Sequence, residues 1–211
     1  MYTRITAATA ALLLAGSASA ATLINGSFEM SSVDPGVFTT IDSPSTAIDG
    51  WTVTSGSIDY IGTYWAASQG IRSIDLAGNA IGSIAQSFDT VIGQSYTVSF
   101  DMAANPDGGT APRNLLVSID GGGPLVFTHP ADGSLGAMNW QTNSFTFVAT
   151  GTSTNLAFSA DDSSAGFYGA TLDNVLVSVV PEPAMWAMMI GGFAVIGGAI
   201  RRRRRTAVSL A

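Results

Sequence analysis

The sequence predicts an all-β fold, an antiparallel β-sandwich of jelly-roll type, within a chain of 211 residues. Three observations predict it. Between Ala21 and Val180, short runs rich in Val, Ile, Thr, Phe and Tyr alternate apolar with polar residues, the period of a strand covered on one face. Turn signals at Ser55-Gly56, Asp107-Gly108, Asp120-Gly121 and Asp132-Gly133 punctuate these runs and supply the positive-φ residues that tight turns need. No segment of this body has the periodicity of an amphipathic helix. Many short strands, wet on one side, bury their other faces most simply as two packed sheets.

The first element lies outside that body. Met1 to Ala20 carries one positive charge at Arg4, an apolar run from Ala7 to Ala15 and small residues at Ala18-Ser19-Ala20. This is the pattern of a signal peptide cut before Ala21. Residues 21–180 then suffice for one domain with its own core. The strands expected in order are Thr22 to Phe28, Trp51 to Thr54, Ser57 to Gly62, Arg72 to Leu76, Ile81 to Phe88, Ser95 to Ala103, Asn114 to Ile119, Leu125 to Thr128, Thr142 to Ala149, Leu156 to Ser159 and Leu172 to Val179. Alternation places Tyr96, Val98, Phe100 and Met102 on one face, and Phe145, Phe147 and Ala149 on another, both toward the core.

The last element is apolar and ends in charge. Pro181-Glu182-Pro183 precedes an uncharged stretch from Ala184 to Ile200 and five arginines, Arg201, Arg202, Arg203, Arg204 and Arg205. As a helix the stretch spans about 26 Å, enough for a single transmembrane helix. Arginine clusters stay on the cytoplasmic side, so the body before Pro181 is expected outside, anchored to the inner membrane and facing the periplasm. Residues 206–211 form a short tail.

The residues from Val180 through Pro181-Glu182-Pro183, Trp186 to Phe193, Gly197-Gly198 and the arginine run resemble the PEP-CTERM sorting signal of exopolysaccharide-producing Gram-negative bacteria. The resemblance implies recognition of residues 181–205 by exosortase, a membrane protease-transpeptidase, and release of the body toward the cell surface or the extracellular matrix. A permanent tail anchor predicts the same topology and differs only in whether the tail stays attached.

Charge and composition exclude several function classes. The body keeps only Arg72 and Arg113 as basic residues against fourteen acidic ones, a net charge of minus twelve. Such a surface repels phosphate backbones, so nucleic acid is not an expected partner. Cysteine is absent, which removes disulfides, thiolate metal sites and cysteine nucleophiles. The single histidine, His129, stands before Pro130 in a polar turn and reads as a solvated loop residue. It leaves no basis for a histidine zinc site, and no Gly-x-Ser-x-Gly elbow accompanies it. Asp161-Asp162 likewise reads as a solvated loop pair.

A second resemblance covers the body. Asn25-Gly26-Ser27-Phe28-Glu29, Gly50-Trp51, Gly93 to Phe100 and Leu172-Asp173-Asn174-Val175, in this order, are similar to galactose-binding-like, carbohydrate-binding-module sandwiches of extracellular proteins. In such sandwiches a structural Ca2+ ties the first strand to the last. The resemblance implies Glu29 and Asp173 as its side-chain ligands; the alternative is that both cap turns or face water.

Aromatic residues outside the regular alternation mark the candidate ligand-binding site, because a flat ring stacks on a sugar face while carboxylates and amides bind hydroxyls. Tyr64-Trp65 is the first candidate pair and Phe167-Tyr168 the second, with plain packing as the alternative. Trp51 and Trp140, at strand entrances, are expected in the core. The expected function is that of a non-catalytic exported protein that binds polysaccharide or contributes to the exopolysaccharide matrix. The alternative is a polysaccharide-acting enzyme with paired carboxylates drawn from Glu29, Asp59, Asp75 and Asp101.

Overall fold

The structure is a computed structural model and describes residues 23–161, 167–181, 191–194, 196 and 201. The described residues form a β-sandwich of eleven strands in two antiparallel sheets. The strands are β1 (Phe38–Asp42), β2 (Thr52–Ser55), β3 (Ser57–Ile61), β4 (Ser73–Asp75), β5 (Ser83–Asp89), β6 (Ser95–Ala104), β7 (Arg113–Ile119), β8 (Leu125–His129), β9 (Gln141–Val148), β10 (Ser153–Ala160) and β11 (Ala170–Val179). One sheet has the order β1-β3-β4-β11-β6-β9 and the other β2-β5-β10-β7-β8. A 3-10 turn at Pro106–Gly108 follows β6, with the Asn105 side chain accepting the Asp107 N–H as its cap.

The alternation read from the sequence sets the inward faces. Tyr96, Val98, Phe100 and Met102 of β6 are fully buried. Phe145 and Phe147 of β9 pack against the same core, which also holds Trp51, Phe28 and Phe158. The polar tips in this core are satisfied: Trp51 Nε1 donates to Asn25 O at 3.0 Å, and the Tyr60 hydroxyl to Phe28 O at 2.7 Å. Burying an indole or phenol without such a partner would cost a few kcal/mol. At Asp120-Gly121 both residues have positive φ, and Gly122 N donates to Ile119 O, the primed turn that the dipeptide favours.

Several expectations are corrected. Leu23 to Phe28 is not a strand: Asn25 and Phe28 have positive φ, so the segment turns and drops the Phe28 ring into the core. Gly26 lies so close to β11 that a Cβ there would sit 1.8 Å from Val175 O. The strand β1 was not expected; Ile41 is its one buried residue, too weak a pattern for periodicity to detect. Positive φ near Asp132-Gly133 falls on Ala131 instead. His129 is fully buried at the end of β8, opposite Arg113. Its Nδ1 accepts Ala131 N–H at 3.2 Å, so Nε2 carries the proton and donates to Asn139 O at 3.0 Å. Asp161 is half-buried and accepts from Asn114 Nδ2 at 2.7 Å, and is therefore not a solvated loop carboxylate.

The signal peptide, Asp162, Glu182, Pro183 and Arg202 to Arg205 lie outside the described residues. Pro181 and Arg201 are exposed. Of the expected transmembrane stretch, residues 191–194 and 196 are described and helical. No helix among the described residues is long and apolar enough to cross a membrane.

Candidate functional site

The six-stranded sheet has an outer face that is only partly open to water. Residues 62–72, which join β3 to β4, fold back across it. Their hold begins at β1's approach, where Gly62 N and Tyr64 N donate to Val37 O. Trp65 is 4% exposed; its Nε1 donates to Ser73 Oγ at 3.0 Å, and it packs with Ile61, Ala103 and Met138 in a small cluster separate from the main core. Trp140 joins that cluster half-buried and donates to Ala66 O at 3.0 Å. It is therefore not the main-core residue expected, whereas Trp51 is.

Carboxylates secure the rest of the segment. Ser68 Oγ donates to Asp101 Oδ2 at 2.5 Å and Gln69 N to Asp173 Oδ2 at 2.8 Å. Ile71 N and Arg72 N both donate to Glu29 Oε1, at 2.8 and 2.9 Å. Gly70, with φ of +69°, passes so close that a Cβ would meet Glu29 Oε1 at 2.2 Å. Glu29 and Asp173 thus grip the same stretch of chain from either side. The hydrogen bonds that reach them come from backbone amide N–H groups, whereas calcium requires a shell of oxygens. Among the described residues no group of three or more acidic or histidine side chains stands at metal-holding spacing. As placed, the two carboxylates anchor the loop.

Burial governs the protonation of these groups. Asp173 is pushed up to about 7 by desolvation, against the N–H bonds from Gln69 and Asn174 that favour its charged form. Asp75, fully buried, is pushed up to about 7 for the same reason, although Asn105, Ala77 and Gly169 all donate to it. Asp59, opposite Asp75 on β3, is also raised by desolvation, offset in part by the 2.5 Å bond from Thr40 Oγ1.

Beside the folded-back segment a cleft of about 200 Å³ opens. All four candidate ligand-binding residues, Tyr64, Trp65, Phe167 and Tyr168, line it, together with Phe38, Thr40, Asp59, Asn79, Asn105 and Asp107. Phe38, Phe167 and Tyr168 are 46%, 56% and 39% exposed, so three rings remain accessible. Trp65 contributes a buried base. Phe38 and Tyr64 meet edge-on at 5.4 Å, and Tyr64 tilts against Trp65 at 5.4 Å. The Tyr64 hydroxyl donates to Asp107 Oδ2, which raises the phenol's pKa.

Two internal contacts shape the rim. Asn105 donates from Nδ2 to Asp75 at 2.7 Å and accepts Asp107 N–H at 3.0 Å, so buried Asp75 supports the 3-10 turn that presents Asp107. Arg113, with no exposed surface, donates from Nε to Tyr168 O at 2.7 Å and from its other nitrogens to Gly108 O and Ala111 O. It ties the Tyr168 segment to the loop after the 3-10 turn. Sequence reading missed Phe38, Asp107 and Arg113; the Asp-Gly signal at Asp107 marked a turn but carried no hint of a cleft.

Of the four carboxylates weighed as an acid–base pair, only Asp59 lines the cleft. Asp75 lies enclosed behind it, and Asp101 and Glu29 hold the folded-back segment.

Known proteins resemble this chain in fold and sequence. A cyclase from Fischerella sp. TAU, solved with 4-(1H-indol-3-yl)butan-2-one, superposes with a TM-score of 0.52 at 18% identity, over 78% of this chain and 98% of that one. That likeness shows the fold alone. A family 35 carbohydrate-binding module from an environmental isolate gives 0.47 at 20% identity, over 68% and 97%. The CBM22-1 xylan-binding domain of Paenibacillus barcinonensis gives 0.46 at 16%, over 68% and 94%. Over 163 residues, 75% of this chain, the sequence is 30% identical to halomucin of Haloquadratum walsbyi, and the chain spans 2% of that protein's length. The family described as protein of unknown function DUF642 matches residues 21–178, and the chain belongs to that family.

Proposed function

We propose that the domain is a non-catalytic extracellular module that binds a polysaccharide chain in the cleft beside Tyr64. The observation that carries this reading is the set of accessible rings, Phe38, Phe167 and Tyr168, gathered with Asp59, Asn79 and Asp107 around one opening. Rings of this kind stack on the C–H face of a sugar, and the amide and carboxylates take its hydroxyls. An acid–base pair for glycoside hydrolysis needs two carboxyl groups facing one bond. Asp59 and Asp107 both line the cleft, but Asp107 is engaged by the Tyr64 hydroxyl, which supports binding over turnover.

The tail completes the proposal. Its Pro181-Glu182-Pro183, apolar stretch and arginine run support export through the PEP-CTERM route, with the body first held at the inner membrane and then passed by exosortase to the surface or matrix. The test is a pull-down of the full chain on a polysaccharide panel, with product analysis for cleavage, beside Phe167→Ala and Tyr168→Ala. Saturable binding without products, weakened in both variants, is expected. Binding unaffected by either variant, or release of shortened chains, would overturn the reading.

A further inference from the structure

The lining of the cleft also selects a charge. Asp59 and Asp107 supply carboxylates, Phe38, Tyr64, Phe167 and Tyr168 supply rings, and among the described residues no basic side chain lines the opening. The body's two basic residues have their donors engaged within the fold, Arg113 behind the cleft's own rim. Arg72 pairs with Asp34 at 3.4 Å, and Arg113 is enclosed by backbone carbonyls. A ring face carries negative potential, and a half-buried carboxylate beside it, when ionised, adds a charge that water screens weakly. Both kinds of wall attract an ammonium group and repel a carboxylate. The body's net charge of minus twelve acts the same way at longer range.

We infer that the cleft prefers sugar units bearing a free, protonated amine, as in a partly N-deacetylated hexosamine polymer, and rejects uronate polymers. The inference rests on the reading of the cleft as a glycan site and specifies its ligand class. Asp59 is the residue placed to meet the ammonium. It lies on β3 inside the opening, half-buried, with Thr40 Oγ1 donating to its Oδ1 at 2.5 Å. Thr40 fixes the carboxylate's orientation, and the cleft rings lie around it. An N-acetyl group in the same place keeps the sugar's shape but removes the charge, so the amine should be discriminated from its own acetylated form.

Calorimetry on the full chain, slightly below neutral pH, would compare four probes of equal length: a glucosamine oligomer, its N-acetylated counterpart, a cello-oligosaccharide and an oligogalacturonate. Asp59→Asn and Phe167→Ala would be run in parallel. Asparagine keeps the acceptor for Thr40, and Phe167 is exposed, so both variants should fold. The glucosamine oligomer is expected to bind roughly tenfold more tightly than the acetylated and cello probes, the galacturonate not at all. Asp59→Asn should erase that tenfold margin by weakening the glucosamine oligomer far more than the neutral probes, and Phe167→Ala should weaken all of them.

Equal affinity for amino and neutral probes would overturn the charge preference and leave the glycan site standing. No binding by any probe would overturn both. Glucosamine binding that is indifferent to Asp59→Asn and Phe167→Ala would be attraction to the acidic body as a whole, and would also overturn the inference.

Discussion

Asp75 makes the stability of this domain depend on pH in an unusual direction. Its carboxylate is fully buried, with Oδ1 accepting Ala77 N and Gly169 N at 2.9 and 3.0 Å and Oδ2 accepting Asn105 Nδ2 at 2.7 Å. Desolvation outweighs these donors and raises the pKa from 3.8 to about 7. Between those values the folded state keeps a proton that the unfolded chain releases. Stability is then fully present below the unfolded pKa and is lost as pH rises through the folded one. The loss is about 1.4 kcal/mol per pH unit, or about 4 kcal/mol over the whole window.

Asp75→Asn isolates this contribution. The amide oxygen still accepts from Ala77 and Gly169, but the amide nitrogen sets a donor against Asn105, a pH-independent cost of about 1 kcal/mol. Urea unfolding from about pH 4 to about pH 8 is the assay. The wild-type chain should weaken as pH rises through the window. The variant should be slightly weaker at the acid end and stronger by about 3 kcal/mol at the alkaline end, with a residual slope from Asp173. Parallel curves for the two proteins would refute the assignment of the buried proton to Asp75.

Other perturbations separate support from contact. Trp65→Ala should cost about 3–5 kcal/mol, read as a lower urea midpoint, because it empties the cluster under residues 62–72, whereas Phe167→Ala should change stability by less than about 0.5 kcal/mol. Gly26→Ala should destabilise by about 1–3 kcal/mol, measured by thermal unfolding, since its Cβ would collide with Val175 O. Calcium added to the chelator-treated chain should leave the melting temperature unchanged if Glu29 and Asp173 serve only the loop; a saturable rise would restore the metal tie. Replacing Arg201 to Arg205 by neutral residues should weaken membrane retention or invert the tail, and unchanged topology in a protease-protection assay would count against the tail reading.

The strands were legible because alternation is a local property. Ser95 to Ala103 and Leu172 to Val179 could be read from neighbouring residues alone, and both lie within the observed strands. Tyr64-Trp65 and Phe167-Tyr168 stood out for the same reason, as bulky pairs outside that pattern. Burial of individual side chains was less accessible. His129 looks exposed in sequence and Trp65 could be read as either ligand contact or packing, yet both are enclosed by other parts of the chain.

The sequence by itself determined the β-rich body, its strongly acidic charge and which aromatic pairs break the strand rhythm, because each depends on composition or on residues a few positions apart. Only the tertiary structure decided that those pairs share one cleft with Phe38 and Asp107, and that Asp173 holds an amide 104 residues earlier at Gln69. Such convergence depends on strand order and register, which are set by how two whole sheets pack and not by any local run of residues.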